Sequence, residues 1–455
     1  MKDRRKWACL LQLSSNWGGD RPAEKFELDY DKEVHGLSSK RMFDQKSWRR
    51  AIDQLGAIGA DWVIIDILDG VKFDSHPELA IEGTWEKAKF LEELAYIRSL
   101  GMTPIPKLNF STTHDAWLGD YHRMVGTKPY YDVCRDLIVE SYEMFGKPGF
   151  FHLGMDEEEP GMNGDDRDFV VIRQGEAWWH DLFYYFGVCD EIGARPMMWI
   201  CADKSTMPQF AKRLPKNVLC CIDANGYLAV PPDASPSRLE VGLGLAEAGY
   251  EVVINGSNWA CDTNLRDTVA WVERKIKDKS KIFGCLMSPW YPPIPLHERK
   301  IARAIDQLED TMLQAGGKEM INGERVAFVG WTNDLKSGKI QRPLYPGDRR
   351  VVMESEELVQ DFGDLEGLNL VTEFQSFGKN VEKLFIVYGS KLEKGSSDIL
   401  SGSRIADETV LGEYEVPTGA HRFVKEGFRF PKGARYVAYR MSRQMHFFRI
   451  LAKKM

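Results

Sequence analysis

The densest run of reactive side chains in this sequence is His152-Leu153-Gly154-Met155-Asp156-Glu157-Glu158-Glu159-Pro160. Read as the end of a β-strand, it puts His152, Gly154 and Asp156 on one face, because side chains alternate along a strand. Glu157 has the opposite parity. It joins the other three only if the strand stops there and the chain turns, and Pro160 favours such a turn. Neighbouring carboxyls in a confined space cannot both ionise easily, so one of Asp156 and Glu157 is expected to hold its proton. A protonated Glu beside an ionised Asp can protonate a departing glycosidic oxygen. At least one of Glu157, Glu158 and Glu159 is expected to be ordinary solvated loop.

Such a pair needs a scaffold. Eight short apolar runs alternate with helical patterns: Ala8–Ser14, Trp62–Leu68, Met102–Asn109, Phe150–Asp156, Arg195–Cys201, Val218–Asp223, Glu251–Asn255 and Ile282–Ser288. Most are near-continuous in Val, Ile, Leu, Cys and Met, as in parallel strands buried on both faces. Amphipathic helices are predicted over Ser47–Ile58, which opens on a capping-type Ser, and over Thr84–Leu100, Lys128–Phe145 and Glu176–Ile192, each of these three closing on a Gly. Eight strand–helix units predict a (β/α)8 TIM barrel. An open doubly wound sheet is disfavoured, because no G-x-G-x-x-G follows the first strand. After Gly316-Gly317 the pattern changes to short alternating segments such as Val381–Tyr388, Arg435–Arg440 and Met445–Leu451. That is the signature of a C-terminal antiparallel β-sandwich. The expected domains are a catalytic barrel over residues 1–318 and an accessory sandwich over residues 319–455.

Barrel enzymes work at the C-terminal ends of their strands. Those ends carry Asn16-Trp17, Asp66-Ile67-Leu68-Asp69, Lys107-Leu108-Asn109 with His114 shortly after, Trp199 with Asp203, Asp223, Trp259 with Asp262, and Trp290. Three of the last four strands therefore end in Trp. Indole faces pack on sugar rings, and carboxylates and amides bind hydroxyls. A single such Trp would read as core, but three at equivalent positions point to a carbohydrate site.

Composition limits the alternatives. Among 455 residues, 60 Lys+Arg against 68 Asp+Glu give a formal charge of −8, which argues against a nucleic-acid partner. No stretch approaches the ~18 apolar residues of a membrane span. Eight scattered cysteines form neither C-x-x-C nor zinc spacing and read as buried reduced thiols, which favours a reducing compartment. The basic Lys2–Lys6 stretch precedes too short an apolar run for an export signal, so residues 7–14 are read as a core strand and the chain as cytoplasmic. The last 35 residues hold ten Lys/Arg and one Glu, read as a solvated basic face.

Over roughly residues 8–315 the chain resembles glycoside hydrolase family 20, the β-N-acetylhexosaminidases, which carry H-x-G-x-D-E at the end of barrel strand four. Here that motif is His152-x-Gly154-x-Asp156-Glu157, and Trp199, Trp259 and Trp290 match the family's Trp positions after later strands. Trp259-Ala260-Cys261-Asp262 is similar to its W-Y-x-D-type segment, and His114 stands where the family often has a further His. The resemblance implies a retaining, substrate-assisted cleavage in which the sugar's own 2-acetamido oxygen attacks the anomeric carbon. It implies that Asp156 orients the acetamido group and that Glu157 is the acid and then the base. By the same resemblance, Trp199, Trp259 and Trp290 enclose the sugar, His152 supports the acid pair, and Asp262 holds hydroxyls. Neither a metal nor a cofactor is implied. The chain departs from the family in having Asn16-Trp17 where an Arg usually ends strand one, and Asp66-Ile67-Leu68-Asp69 where H-x-x-D usually follows strand two.

Three other readings compete. In a two-carboxylate retaining glycosidase acting on a non-acetylated sugar, Glu157 is the acid and Asp66, Asp203 or Asp223 the nucleophile. In a non-catalytic sugar-binding barrel, Glu157 is dispensable. In a metal-dependent isomerase, Asp66, Asp156, Glu157 and Asp223 supply oxygen ligands, although no His pair stands at ligand spacing.

Overall fold

The computed structural model describes residues 5–22, 36–158, 173, 175–202, 205–225, 237–258, 264–315, 325–326, 330–331, 351–354, 357–361, 365–376, 382–393, 404–417, 419–425, 427–441 and 445–453. Each of the eight apolar runs contains a strand. These are β1 (Lys6–Gln12), β2 (Trp62–Asp66), β3 (Thr103–Lys107), β4 (Phe150–His152), β5 (Arg195–Trp199), β6 (Leu219–Asp223), β7 (Val252–Gly256) and β8 (Ile282–Met287). They form a closed barrel in chain order, every neighbouring pair parallel and β8 pairing back to β1. A helix follows each strand: α1 (Gln45–Ile58), α2 (Lys87–Ser99), α3 (Lys128–Met144), α4 (Glu176–Ile192), α5 (Met207–Arg213), α6 (Ser237–Glu247), α7 (Asn264–Lys275) and α8 (Glu298–Ala315). The architecture is a TIM barrel.

Two local expectations are corrected. Helix α1 does not open on Ser47. Asp44 is its N-cap, accepting both the backbone N–H and the hydroxyl of Ser47; a carboxylate three residues earlier captures a free N–H of the first turn. Strand β4 stops at His152 rather than running to Asp156. The residues beyond it leave the extended region, with Gly154 at φ 73°, Met155 at φ 71° and Glu157 at φ 57°.

Register sets the barrel's interior. Gln12, Asp66, Lys107 and His152 stand side by side on β1 to β4. All four are buried, and the Lys107 ammonium sits 2.5 Å from Asp66 Oδ2. Adjacent side chains at one level of a parallel sheet share a face, so this polar row lies directly beneath the strand ends. The described cysteines are free thiols, all buried except Cys201, which is half-buried; Cys261 lies outside the described residues. No described helix is long and apolar enough to cross a membrane.

The C-terminal region is a β-sandwich of two antiparallel sheets. One holds β9 (Arg325–Val326), β10 (Gly330–Trp331), β13 (Asn369–Ser376), β16 (Gly419–Val424) and β18 (Met445–Lys453). The other holds β11 (Val351–Glu354), β12 (Glu357–Asp361), β14 (Glu382–Gly389), β15 (Thr409–Val416) and β17 (Tyr436–Met441). Leu370 and Phe423 from the first sheet share one core with Leu384, Ile386, Leu411, Val437 and Tyr439 from the second. A hydrogen bond of 2.9 Å between the Thr372 and Tyr439 hydroxyls crosses between the sheets, which satisfies both polar groups in that interior.

Candidate active site

The site begins where β3 and β4 come together. A Cβ on Gly154 would fall 1.9 Å from Asn109 Oδ1 and 2.7 Å from its Cα, so only glycine fits beside Asn109. Asn109 uses that closeness. Its Oδ1 accepts from the backbone N–H of Met155 at 3.2 Å and of Ser111 at 3.1 Å. Its Nδ2 donates to Asp156 Oδ1 at 2.8 Å. The Asp156 carbonyl accepts from the hydroxyls of Ser111 and Thr113. The chain after β4 is thus stitched to the loop after β3, and Glu157 is turned out of line with the strand.

That turn brings the carboxyl of Glu157 to His114. His114 Nδ1 donates to the Trp17 carbonyl at 2.7 Å. With that proton assigned, Nε2 faces Glu157 Oε2 at 3.1 Å and Asp156 Oδ2 at 3.6 Å. Proton exchange on the Nε2–Oε2 line leaves either a protonated carboxyl donating to neutral imidazole or an imidazolium donating to carboxylate. Asp156 is nearly buried, while the Glu157 side chain keeps 32 % of its surface. The more exposed member of the pair is therefore the one a ligand reaches.

Aromatic rings line the same place. Trp17 lies 5.8 Å from Trp290 and 5.9 Å from His114, measured between ring centroids. Trp290 meets Trp199 at 5.7 Å, and Trp199 meets His152 at 4.6 Å. Trp199 is only 1 % exposed, whereas Trp17 is half-buried. Of the five described non-glycine residues with positive φ, four follow barrel strands at this end: Leu68, Met155, Glu157 and Trp290. Such backbone costs about 1–3 kcal/mol per residue and collects at functional sites.

Of the other expected residues, the structure describes the side chains of His152, Asp66 and Asn16. His152 lies beneath this centre, with Nδ1 accepting the Gly154 N–H at 3.1 Å. Burial, with Lys107 nearby, holds its imidazole well below the usual range and therefore neutral. Asp66 belongs to the buried row and is committed to Lys107; burial raises its carboxyl and Lys107 opposes the rise. Asn16 is spent on structure, donating to the Ser38 carbonyl and Asp69 and accepting the Ser38 N–H. Trp259, Asp262, Asp203, Glu159 and Pro160 lie outside the described residues, as does the side chain of Asp223. Among the described residues, no group of three or more His, Cys, Asp or Glu is arranged to hold a metal ion.

Four participants went unassigned in the sequence: Trp17, Asn109, Lys107 and Glu158. Glu158 is not solvated loop. Its side chain is 3 % exposed and accepts the Thr112 N–H at 2.6 Å. Matching parity on adjacent strands would have paired Lys107 with Asp66. Nothing local marks Glu158 as buried.

Neither a scan against family models nor a search of curated proteins finds a match. Solved structures align with part of the chain. One described as a glycoside hydrolase family 20 β-N-acetylglucosaminidase aligns with TM-score 0.45 at 12 % identity, covering 67 % of this chain and 70 % of that one. The Vibrio harveyi family 20 exo-β-N-acetylglucosaminidase aligns with TM-score 0.44 at 11 % identity, covering 69 % and 57 %. The Streptomyces plicatus N-acetyl-β-hexosaminidase aligns with TM-score 0.45 at 12 % identity, covering 67 % and 64 %.

Two outcomes follow. Gly154→Ala loses roughly 2–4 kcal/mol of stability, from overpacking plus a left-handed φ. Gly187→Ala in α4, where an added Cβ meets nothing within 4 Å, is neutral or mildly stabilising. Denaturant unfolding of both variants checks this, and equal stabilities would contradict the close approach. The second outcome concerns Asp69, whose buried carboxyl is pushed up to about 6 from 3.8 by burial. The folded state then holds a proton that the unfolded chain has lost, so stability falls as pH rises through that window. Asp69→Asn is expected to stabilise the protein above pH 7, on the order of 3 kcal/mol at about 1.4 per pKa unit. The gain should vanish toward acid pH. A gain independent of pH in thermal melts would contradict it.

Proposed function

We propose that this chain is a retaining glycoside hydrolase that removes β-linked N-acetylhexosamine by a substrate-assisted mechanism. The observation that carries the proposal is the turn after β4. It presents Glu157 to His114 Nε2 at 3.1 Å, beside Asp156 and within an indole-lined mouth.

The neutralisation of the surrounding carboxyls supports this assignment of roles. Asp66 faces the buried Lys107, and Glu158 faces the buried Arg173. Asp156 and Glu157 instead face Asn109 and His114. A carboxylate locked to a buried ammonium is a poor nucleophile, which weighs against Asp66 in the two-carboxylate reading. Asp156, braced by Asn109, can accept the acetamido N–H and turn its carbonyl oxygen toward the anomeric carbon. As that C–O bond forms, the glycosidic C–O bond breaks and Glu157 passes its proton to the leaving oxygen. Water then attacks the anomeric carbon, gives its proton to Glu157, and the amide is restored. Before the aglycone leaves, and again after water has reacted, the Glu157 proton can be shared with His114 Nε2 across 3.1 Å. Trp17 and Trp290 offer apolar surface to the sugar ring, and Trp199 stands behind Trp290.

The test is a panel of aryl β-glycosides with and without a 2-acetamido group. Wild type is expected to turn over the acetylated members and to be inhibited competitively by thiazoline sugars. Glu157→Gln and Asp156→Asn should each lose at least ~100-fold in kcat. Turnover confined to non-acetylated sugars would favour the two-carboxylate reading. Sugar affinity without turnover, unchanged in Glu157→Gln, would favour a binding protein.

A further inference from the structure

Glu157 sits in a conformation that its own side chain does not favour, at φ 57°. Something on each side must hold it there. On its N-terminal side, Asp156 is tied through side chain and carbonyl to Asn109, Ser111 and Thr113. On its C-terminal side, Glu158 is tied to a residue fifteen positions later. Arg173 is buried, and its Nη1 donates to Asp181 Oδ2 of α4 at 2.6 Å. Its Nη2 donates to Glu158 Oε1 and, at 2.9 Å, to the Phe110 carbonyl. One guanidinium therefore connects the residue after Glu157, the loop after β3 and a barrel helix. Three buried carboxyls, Glu158, Asp181 and Asp115, surround this one cation. Burial raises the carboxyls of both Asp115 and Glu158 and the Arg173 charge opposes the rise in each, but of these two it is Glu158 that Arg173 also hydrogen-bonds.

We propose that Arg173 is a positioning residue that fixes the direction of the Glu157 carboxyl by anchoring its neighbour Glu158. The proposal rests on Glu157 being the proton donor. Removing one partner from a buried ion pair leaves an uncompensated charge, which escapes by moving toward water. For Glu158 that movement pulls on the adjacent peptide, and Glu157 turns with it. The planar fork of Arg also matters. Lysine keeps the charge but cannot bond Glu158, Asp181 and the Phe110 carbonyl together.

The test uses the full chain with aryl 2-acetamido-2-deoxy-β-glucosides whose phenols range from acidic to weakly acidic. An acidic phenol departs with little help, whereas a weakly acidic one needs a well-aimed proton. In Arg173→Lys, kcat on the weakly acidic members should fall about 100-fold, on the acidic members less than about 5-fold, with KM within about 2-fold. Glu158→Gln keeps the volume and the acceptor for the Thr112 N–H, and should show the same slope at about 10-fold. If Arg173→Lys does not fold, Glu158→Gln decides alone. A loss of equal size across the series, or no loss, overturns the proposal, since a structural role would not discriminate between leaving groups. If wild type cleaves no member of the series, the assignment of Glu157 itself fails. That result is read before any variant is made, and the proposal falls with it.

Discussion

The approach of Asn109 to Gly154 is the contact on which the mouth of this barrel depends. Two neighbouring parallel strands lie close enough for a backbone to press against a side-chain amide only where one of them lacks a Cβ. The amide then becomes a bracket. It satisfies one backbone N–H beyond β4, that of Met155, and one in its own loop after β3, that of Ser111, and it braces Asp156. Once that bracket is in place, the chain cannot continue as a strand, and Glu157 is carried round toward His114.

Electrostatics complete what the bracket starts. Burying carboxylates is expensive unless each finds a cation or hydrogen-bond donors. Here Lys107 takes Asp66 below the site and Arg173 takes Glu158 behind it. The two carboxyls with different partners sit between these neutralised layers, next to an imidazole whose tautomer is set by the Trp17 carbonyl. The arrangement separates the carboxyls paired with buried cations from the Asp156–Glu157 couple. It also puts Trp17 in two roles, as apolar surface and as the backbone acceptor that orients His114.

Much of the scaffold was legible in the sequence. Near-continuous apolar runs at regular spacing can hardly be anything but buried parallel strands, and all eight contain one. The need for a turn after β4 was legible, but the strand parity that put His152, Gly154 and Asp156 on one face was not, because β4 ends at His152 and the chain beyond it is no longer extended. What stayed hidden was tertiary. Left-handed backbone at Met155 and Glu157 accompanies contacts from Asn109, Ser111 and Thr113 in the loop after β3, and no local residue preference announces it. Arg173 lies fifteen positions from Glu158, so only the fold brings them together. Asn16 looked like a ligand-binding amide by position, but its groups are consumed by Ser38 and Asp69. The capping residue of α1 was misplaced because Ser47 and Asp44 both have the right chemistry and only geometry selects between them.

The most direct measurement is azide rescue of Glu157→Ala on an acetylated aryl glycoside with a strongly acidic phenol. If Glu157 is the acid and base of a retaining reaction, azide accelerates turnover of the variant and the product is the β-glycosyl azide. No acceleration, or an α-azide, would contradict that assignment.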